Sequence, residues 1–172
     1  MKKYTRWASA LLITLIMALL ILWFAQDVGL QSITFAFWVN WLLMFWAYAL
    51  HRTQAVSLPA AYYKTSPKEK KLHQVLGVRT YQRFIRRISI FNPELKLEKG
   101  KSELKNLFQA TQNAELAHLL IFVIVTFFMA YSLLQGWWLS AFWVLFFNML
   151  FNGYPVLVQR YNRLRINRLL EK

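Results

Sequence analysis

The chain of 172 residues is 58% hydrophobic, with eight Trp and fourteen Phe, and carries a formal charge of +14. So much apolar surface excludes an ordinary soluble domain, and so much charge excludes a passive apolar anchor; together they describe a membrane protein with a heavily basic wet face. Cysteine is absent, which removes disulfides, thiolate metal sites and cysteine nucleophiles.

Lys2, Lys3 and Arg6 precede the first apolar run, roughly 7–24. Its far end, "WFAQDVG", lacks a small-x-small cleavage site, so the run reads as a retained span and not as a signal peptide. A second run covers about 33–50 and gives way to His51 and Arg52. The third and fourth, about 116–134 and 137–158, are separated only by Gln135 and Gly136. Each run approaches the ~20 residues that a hydrocarbon core of about 30 Å asks of a helix.

The linker Ala25 to Ser32 carries one charge, Asp27, and the turn at Gln135 and Gly136 carries none. Every Lys and Arg therefore lies before the first run, between Arg52 and Lys105, or from Arg160 onward. Four spans place all of them on one face, which the positive-inside tendency identifies as the cytoplasm, together with both termini. The expected fold is an all-α integral membrane protein of the cell membrane. It is a single membrane domain, 1–172, with four transmembrane helices, a cytoplasmic amphipathic, basic helical segment at 51–113 and a basic tail at 159–172.

Within 51–113, Ser66-Pro67-Lys68-Glu69 reads as a capping box with proline at the first helical position, and Gly77 interrupts the helix that follows. Beyond it, Val78, Tyr81, Phe84, Ile85, Ile88 and Phe91 share one face while Arg79, Gln82, Arg83, Arg86 and Arg87 share the other. That is the pattern of a helix lying in the membrane interface. Pro93 stops it, "ELKLEKGKS" follows as a loop, and Ser102 caps a helix that continues into the third span. His73 falls on a polar helix and reads as solvated. Trp7, Trp23, Trp38, Trp137 and Trp138 lie near the expected interfaces as aromatic belts, and Asn40 and Asn148 fall mid-span, where interhelical hydrogen bonds are expected. Polybasic flanks of this kind attract anionic membrane lipid. A nucleic acid partner is not expected, because the basic face is joined to lipid.

The segment "NAELAH" carries chemistry. Glu115 and His118 are three apart and share a helical face with Leu104, Phe108 and Thr111, which should turn inward. An antiparallel pairing about the turn at Gln135 and Gly136 mirrors His118 on Gly153. It brings Asn152, Gln159 and Arg160 to within roughly 10 Å of the same depth. His51 and Arg52 arrive at that level from the second span. The expected site is a crown of Glu115, His118, Asn152, Gln159, Arg160, Tyr161, Asn162, Arg163, His51 and Arg52.

A histidine is the usual general base for a hydroxyl near neutral pH, and an adjacent carboxylate orients it. Arginine forks bind phosphate, and Asn, Gln or Arg160 can hold a developing oxyanion. These parts describe acyl transfer from acyl-CoA to an amphiphilic alcohol, with His118 and Glu115 as the catalytic pair and the remaining polar residues binding substrate. The same set would serve a nonenzymatic membrane protein that grips an anionic lipid head group or an assembly partner, and both readings stay open at this point. Glu115 and His118 with His51 have the composition of a single-metal site. No resident metal and no cofactor is expected, however, acyl-CoA being a co-substrate. No glycine-rich loop supports a nucleotide-dependent methyltransferase.

"NAELAH", an apolar hairpin and then "NGYPVLVQRYNRLR" resemble the small glycosyl-4,4'-diaponeurosporenoate acyltransferases, which place the last fatty acyl group on the sugar of a staphyloxanthin-type carotenoid. The matching positions are Ala114, Glu115, Leu116 and His118, then Asn152, Pro155, Val158, Gln159, Arg160, Tyr161, Asn162 and Arg163. Leu164 stands where that family has proline, and Gly153 and Tyr154 separate the Asn from the Pro. The resemblance implies a membrane acyltransferase. The activity it implies is transfer of a fatty acyl group from acyl-CoA or acyl carrier protein to a hydroxyl of a glycosylated lipid or carotenoid.

Overall fold

Helix ends in this chain are set by local backbone chemistry, which the computed structural model describes over residues 3–66, 68–88 and 101–170. In order come α1 (Lys3–Val28), α2 (Ile33–Thr53), a 3₁₀ turn (Ala60–Tyr63), α3 (Glu69–Val75) and α4 (Val78–Ile88). They are followed by α5 (Lys101–Leu134), α6 (Trp138–Asn148), a π-helical turn (Met149–Gly153) and α7 (Tyr154–Leu170). No strand occurs among the described residues. Pro67, Pro93, the polar stretch after it and the side chains of Ile88, Phe91 and Ser102 lie outside what is described.

Four helical stretches are long and apolar enough to cross a membrane: Tyr4–Val28, Ile33–Thr53, Glu103–Leu134 and Trp138–Leu170. They exceed the apolar runs because backbone hydrogen bonding continues where hydropathy stops. The 34 residues of α5 extend about 51 Å at 1.5 Å each, well beyond the ~30 Å hydrocarbon core. Ser32 starts α2 by accepting the Phe35 N–H on its Oγ at 3.0 Å. Between α5 and α6 the chain reverses through Gly136 at φ 73, with Trp137 N–H on the Ser132 carbonyl (2.9 Å) and Gly136 N–H on that of Leu133 (3.0 Å). This pair of bonds is a Schellman cap, whose left-handed residue costs least as glycine.

The chain divides into two compact units. The first comprises Met1–Leu58 and Leu116–Gly153. Its interior holds Phe35, Val39, Leu43, Ile121, Val125 and Val144. Lipid tails are as apolar as these side chains, so the hydrophobic effect does not itself favour helix contact there; close approach and dispersion do. Buried Ala10, Ala36 and Ala47 supply that approach. Trp46 Nε1 donates to Thr14 Oγ1 across α1 and α2 at 3.1 Å, and Phe37 meets the rings of Phe147 and Phe151 edge-on. Ser140 Oγ reaches the Leu30 carbonyl at 3.3 Å and lies 3.4 Å from Ser132 Oγ, tying the α1–α2 turn to the α5–α6 hairpin. An apolar groove of about 590 Å³ runs among α1, α2 and α5, walled by Met17, Ile21, Leu43, Trp46, Ile124 and Phe128.

The second unit comprises Pro59–Glu115 and Tyr154–Lys172. The capping box forms: Glu69 Oε1 accepts the Ser66 N–H at 2.9 Å and Ser66 Oγ accepts the Lys68 N–H at 3.3 Å. Regular α-helix begins only at Glu69, because the first turn is closed by a tighter bond from Glu69 N–H to the Ser66 carbonyl, 3.0 Å. Gly77, at φ 63, separates α3 from α4. The expected apolar stripe of α4 is divided in use. Val78 is buried and Tyr81 stacks on Tyr154 of α7 (4.8 Å, 17°), with Gln82 Nε2 donating to Asn162 at 3.1 Å, while Phe84 stays exposed. Part of the face expected against lipid is thus spent on α7. His73, expected in solvent, is 1% exposed, with its ring edge-on to Tyr161 at 5.8 Å. The α7 surface that covers it is distant in sequence, so periodicity within α3 could not reveal the burial.

Candidate functional site

Each unit carries a buried polar cluster among the described residues. In the first, three amides and an imidazole form a ladder. Asn40 Nδ2 donates to the Ala36 carbonyl (2.9 Å), and Asn148 Nδ2 donates to the Phe122 carbonyl (3.0 Å) and Thr126 Oγ1 (3.3 Å). Asn152 Nδ2 donates to Asn40 Oδ1 (2.7 Å) and Asn148 Oδ1 (3.1 Å), and Asn152 Oδ1 lies 3.3 Å from His118 Nδ1. All three amides are at most 1% exposed. A buried polar group left without a partner costs about 1–3 kcal/mol, so the ladder answers each amide with another.

Asn152 sits in the π-helical turn, where Gly153 leaves room: a Cβ there would stand 3.0 Å from Met149 Sδ and 3.3 Å from Phe122 Cε2. Turns of this kind recur where a helix presents a side chain for function. The first unit also carries His51 and Arg52, both exposed in the last turn of α2; the His51 carbonyl accepts the N–H of the left-handed cap residue Gln54 at 3.1 Å.

In the second unit, two guanidiniums meet two carboxylates. Arg160 is bidentate on Glu69 (Nε to Oε2 and Nη2 to Oε1, both 3.0 Å), and its Nη1 donates to Glu115 Oε1 at 3.2 Å. Arg163 Nη2 donates to Glu115 Oε2, and Arg163 Nε donates to the Tyr63 carbonyl at 3.0 Å. Arg160 also donates to the carbonyls of Tyr62 (3.4 Å) and Lys64 (3.3 Å), and Asn167 Nδ2 donates to Thr65 Oγ1 at 3.3 Å. Residues 160, 163 and 167 share one helical face, so α7 grips the 62–65 segment, where the 3₁₀ turn ends, like a comb.

The clamp sets the ionisation of its neighbours. Burial alone would raise the Glu69 carboxyl, but the Arg160 guanidinium and the Ser66 N–H outweigh it and hold that carboxyl below its ordinary value. Burial, then the Glu115 carboxylate, pushes the Tyr62 phenol up. Burial pushes His73 down, against the raising influence of Glu69. Both ring nitrogens of His73, and Nη1 of Arg163, have no hydrogen-bond partner among the described residues. Asn162 is buried beside the clamp on α7, Tyr161 faces His73, and Gln159 is half-buried.

The expected crown thus resolves into two groups with their own partners: His118 with Asn152 in the ladder, and Glu115 with Arg160 and Arg163 in the clamp. Asn40 and Asn148 were legible as helix-packing residues but not as members of a ladder ending on His118, and Thr126 carried no signal. Glu69 was legible as a cap, and Ser66 takes one of its oxygens, but the arginine it holds lies 91 positions away. The carbonyls of Tyr62, Tyr63 and Lys64 leave no signature in sequence, since every residue has one. Among the described residues, no three His, Asp or Glu side chains group as a metal site.

The glycosyl-4,4'-diaponeurosporenoate acyltransferase family model matches residues 59–172, from the first residue of the second unit through α7, and includes Glu69, Glu115, His118, Asn152, Arg160 and Arg163. No curated protein and no solved structure gives a match. With more than half of its length matched, the chain belongs to the glycosyl-4,4'-diaponeurosporenoate acyltransferase family, acyltransferases of carotenoid biosynthesis.

Proposed function

We propose that the chain transfers a fatty acyl group from acyl-CoA, or from acyl carrier protein, to a hydroxyl of a glycosylated lipid or carotenoid in the membrane. The observation that carries the reading is a histidine ring oriented by a buried amide, His118 against Asn152 at 3.3 Å, in the unit that holds the apolar helices. His118 takes the proton of the acceptor hydroxyl as its oxygen attacks the thioester carbonyl. The carbon–sulfur bond then breaks, and the same proton passes to the leaving thiolate, so that an ester and a free thiol result. Such a base supplies typically about 10²–10⁴-fold in rate.

Glu115 serves by fixing Arg160 and Arg163, and with them the 62–65 segment, as part of the substrate-binding surface. Gln159, Tyr161 and Asn162 of the same unit, and by themselves His51 and Arg52 of the first unit, are the further groups assigned to the phosphates and polar head of the substrates. The basic stretches face the cytoplasm, where the donor is found, with both termini on that side; the exposed part of α4 rests in the interface on anionic lipid.

The test uses membranes containing the protein, supplied with acyl-CoA and a glycosylated carotenoid or glycolipid, and mass spectrometry for a product heavier by one fatty acyl group. His118→Ala should abolish the product while the protein still inserts and accumulates. Full activity of that variant would overturn His118 as the base, and no acylated species from the wild type would favour a nonenzymatic lipid-binding role.

A further inference from the structure

The ladder in the first unit bears on which nitrogen of His118 carries the proton. Two of its end points are main-chain carbonyls, those of Ala36 and Phe122, and a carbonyl oxygen only accepts. Asn40 must therefore turn its nitrogen to Ala36 (2.9 Å), and Asn148 its nitrogen to Phe122 (3.0 Å). Thr126 reinforces the second orientation. Its hydroxyl proton goes to the Phe122 carbonyl at 2.7 Å, which leaves its oxygen to accept from Asn148 at 3.3 Å.

Each of these amides has its oxygen left, and both oxygens face Asn152, at 2.7 and 3.1 Å. Two acceptors require two donors, so Asn152 commits its NH₂ to them and presents its oxygen to the ring atom Nδ1 of His118. Turning Asn40 or Asn148 over would set donor against donor and acceptor against acceptor at once, turning Asn152 over would set its oxygen against two other oxygens, and no solvent reaches these amides to compensate.

From this chain of bonds we infer that Asn40, Asn148 and Asn152 are positioning residues that hold neutral His118 as its Nδ1–H tautomer, leaving Nε2 unprotonated to act as the base. A neutral amide does for this ring what a carboxylate does in a charged triad, fixing proton and orientation without placing an anion among apolar side chains. The use of the bare Nε2 rests on the acyl-transfer reading above, whereas the tautomer itself does not.

The experiment is nitrogen-15 NMR of the full chain, labelled at histidine, in lipid nanodiscs at a pH where the ring is neutral. His118 is assigned by its absence from His118→Asn. The expected spectrum shows a protonated, pyrrole-type Nδ1 and a bare, pyridine-type Nε2; a proton on Nε2 overturns the inference. Asn40→Leu with Asn148→Leu releases the Asn152 amide to turn. The Nε2–H form should then appear, and kcat should fall on the order of 10-fold with KM unchanged. An unchanged tautomer in that variant overturns the ladder as its cause. The wild-type spectrum decides the tautomer even where the double variant does not fold. An Nδ1–H ring in a wild type without acyl transfer would count against the activity alone.

Discussion

Arg163 and Glu115 form an ion pair in which neither side chain has exposed surface. Removing two charges from water is costly, and only mutual attraction with further hydrogen bonds offsets it. Here the offset is supplied in part by Arg160 on the other Glu115 oxygen and by the Tyr63 carbonyl on Arg163. Breaking such a pair from one side strands a buried charge, whereas replacing both sides need not. Arg163→Met should therefore destabilise the second unit by about 3–5 kcal/mol, and adding Glu115→Leu should recover much of the loss. Thermal unfolding in detergent, with accumulation in membranes as a second readout, checks the sign of the recovery.

His73 makes the second unit sensitive to mild acid. Its folded-state value lies below 6.5, chiefly through burial. A group depressed in this way contributes stability that is complete above its unfolded value and lost as pH falls through the folded one. The charged groups acting on the ring are Glu69 and Arg160, of opposite sign. Unfolding temperature should decline as pH drops below 6.5, and His73→Phe should remove that decline. A further loss below about 4.5 should remain from Glu69, whose carboxyl is also held low.

Gly153 separates two opposing effects. Alanine gains about 0.8–1.0 kcal/mol of helical propensity over glycine, but its Cβ would stand 3.0 Å from Met149 Sδ and 3.2 Å from Met149 Cε. Methionine yields readily, so Gly153→Ala should be close to neutral. Gly153→Val also presses on Phe122 and should cost about 1–3 kcal/mol, reduced when Met149→Ala is added. Differential unfolding of the three variants measures the series.

Tyr81, stacked on Tyr154, has its phenol pushed up to about 12 by burial. In an absorbance titration Tyr81 should contribute a late step near pH 12, and Tyr81→Phe should delete that step. Because the folded value is raised, stability tied to this group is full below pH 10.0 and is lost as pH rises toward 12.

Hydropathy marks the four spans because twenty apolar residues in a row have few other uses. It places their ends short, since Arg160, Arg163 and Asn167 continue α7 as regular helix in spite of their polarity. Capping chemistry is legible at Ser66, where the bonded atoms lie within three residues. Partners are another matter. Spacing shows that Glu115 and His118 share a helix, but the atoms they bond to lie 48 and 34 positions away, on Arg163 and Asn152. The π-helical turn that carries Asn152 has no residue signature of its own, and the burial of His73 depends on α7. Local rules name neighbours; tertiary packing chooses among them.

The bond from Ser140 to the Leu30 carbonyl bears on how this protein can be handled in the laboratory. Surface connections usually tolerate foreign peptides, but here a few residues join each pair of helices and a side chain clasps one joint to the other. An epitope or fluorescent reporter spliced in at Gly29 or Gln135 would have to prise that clasp open, so both joints should be poor hosts for tags.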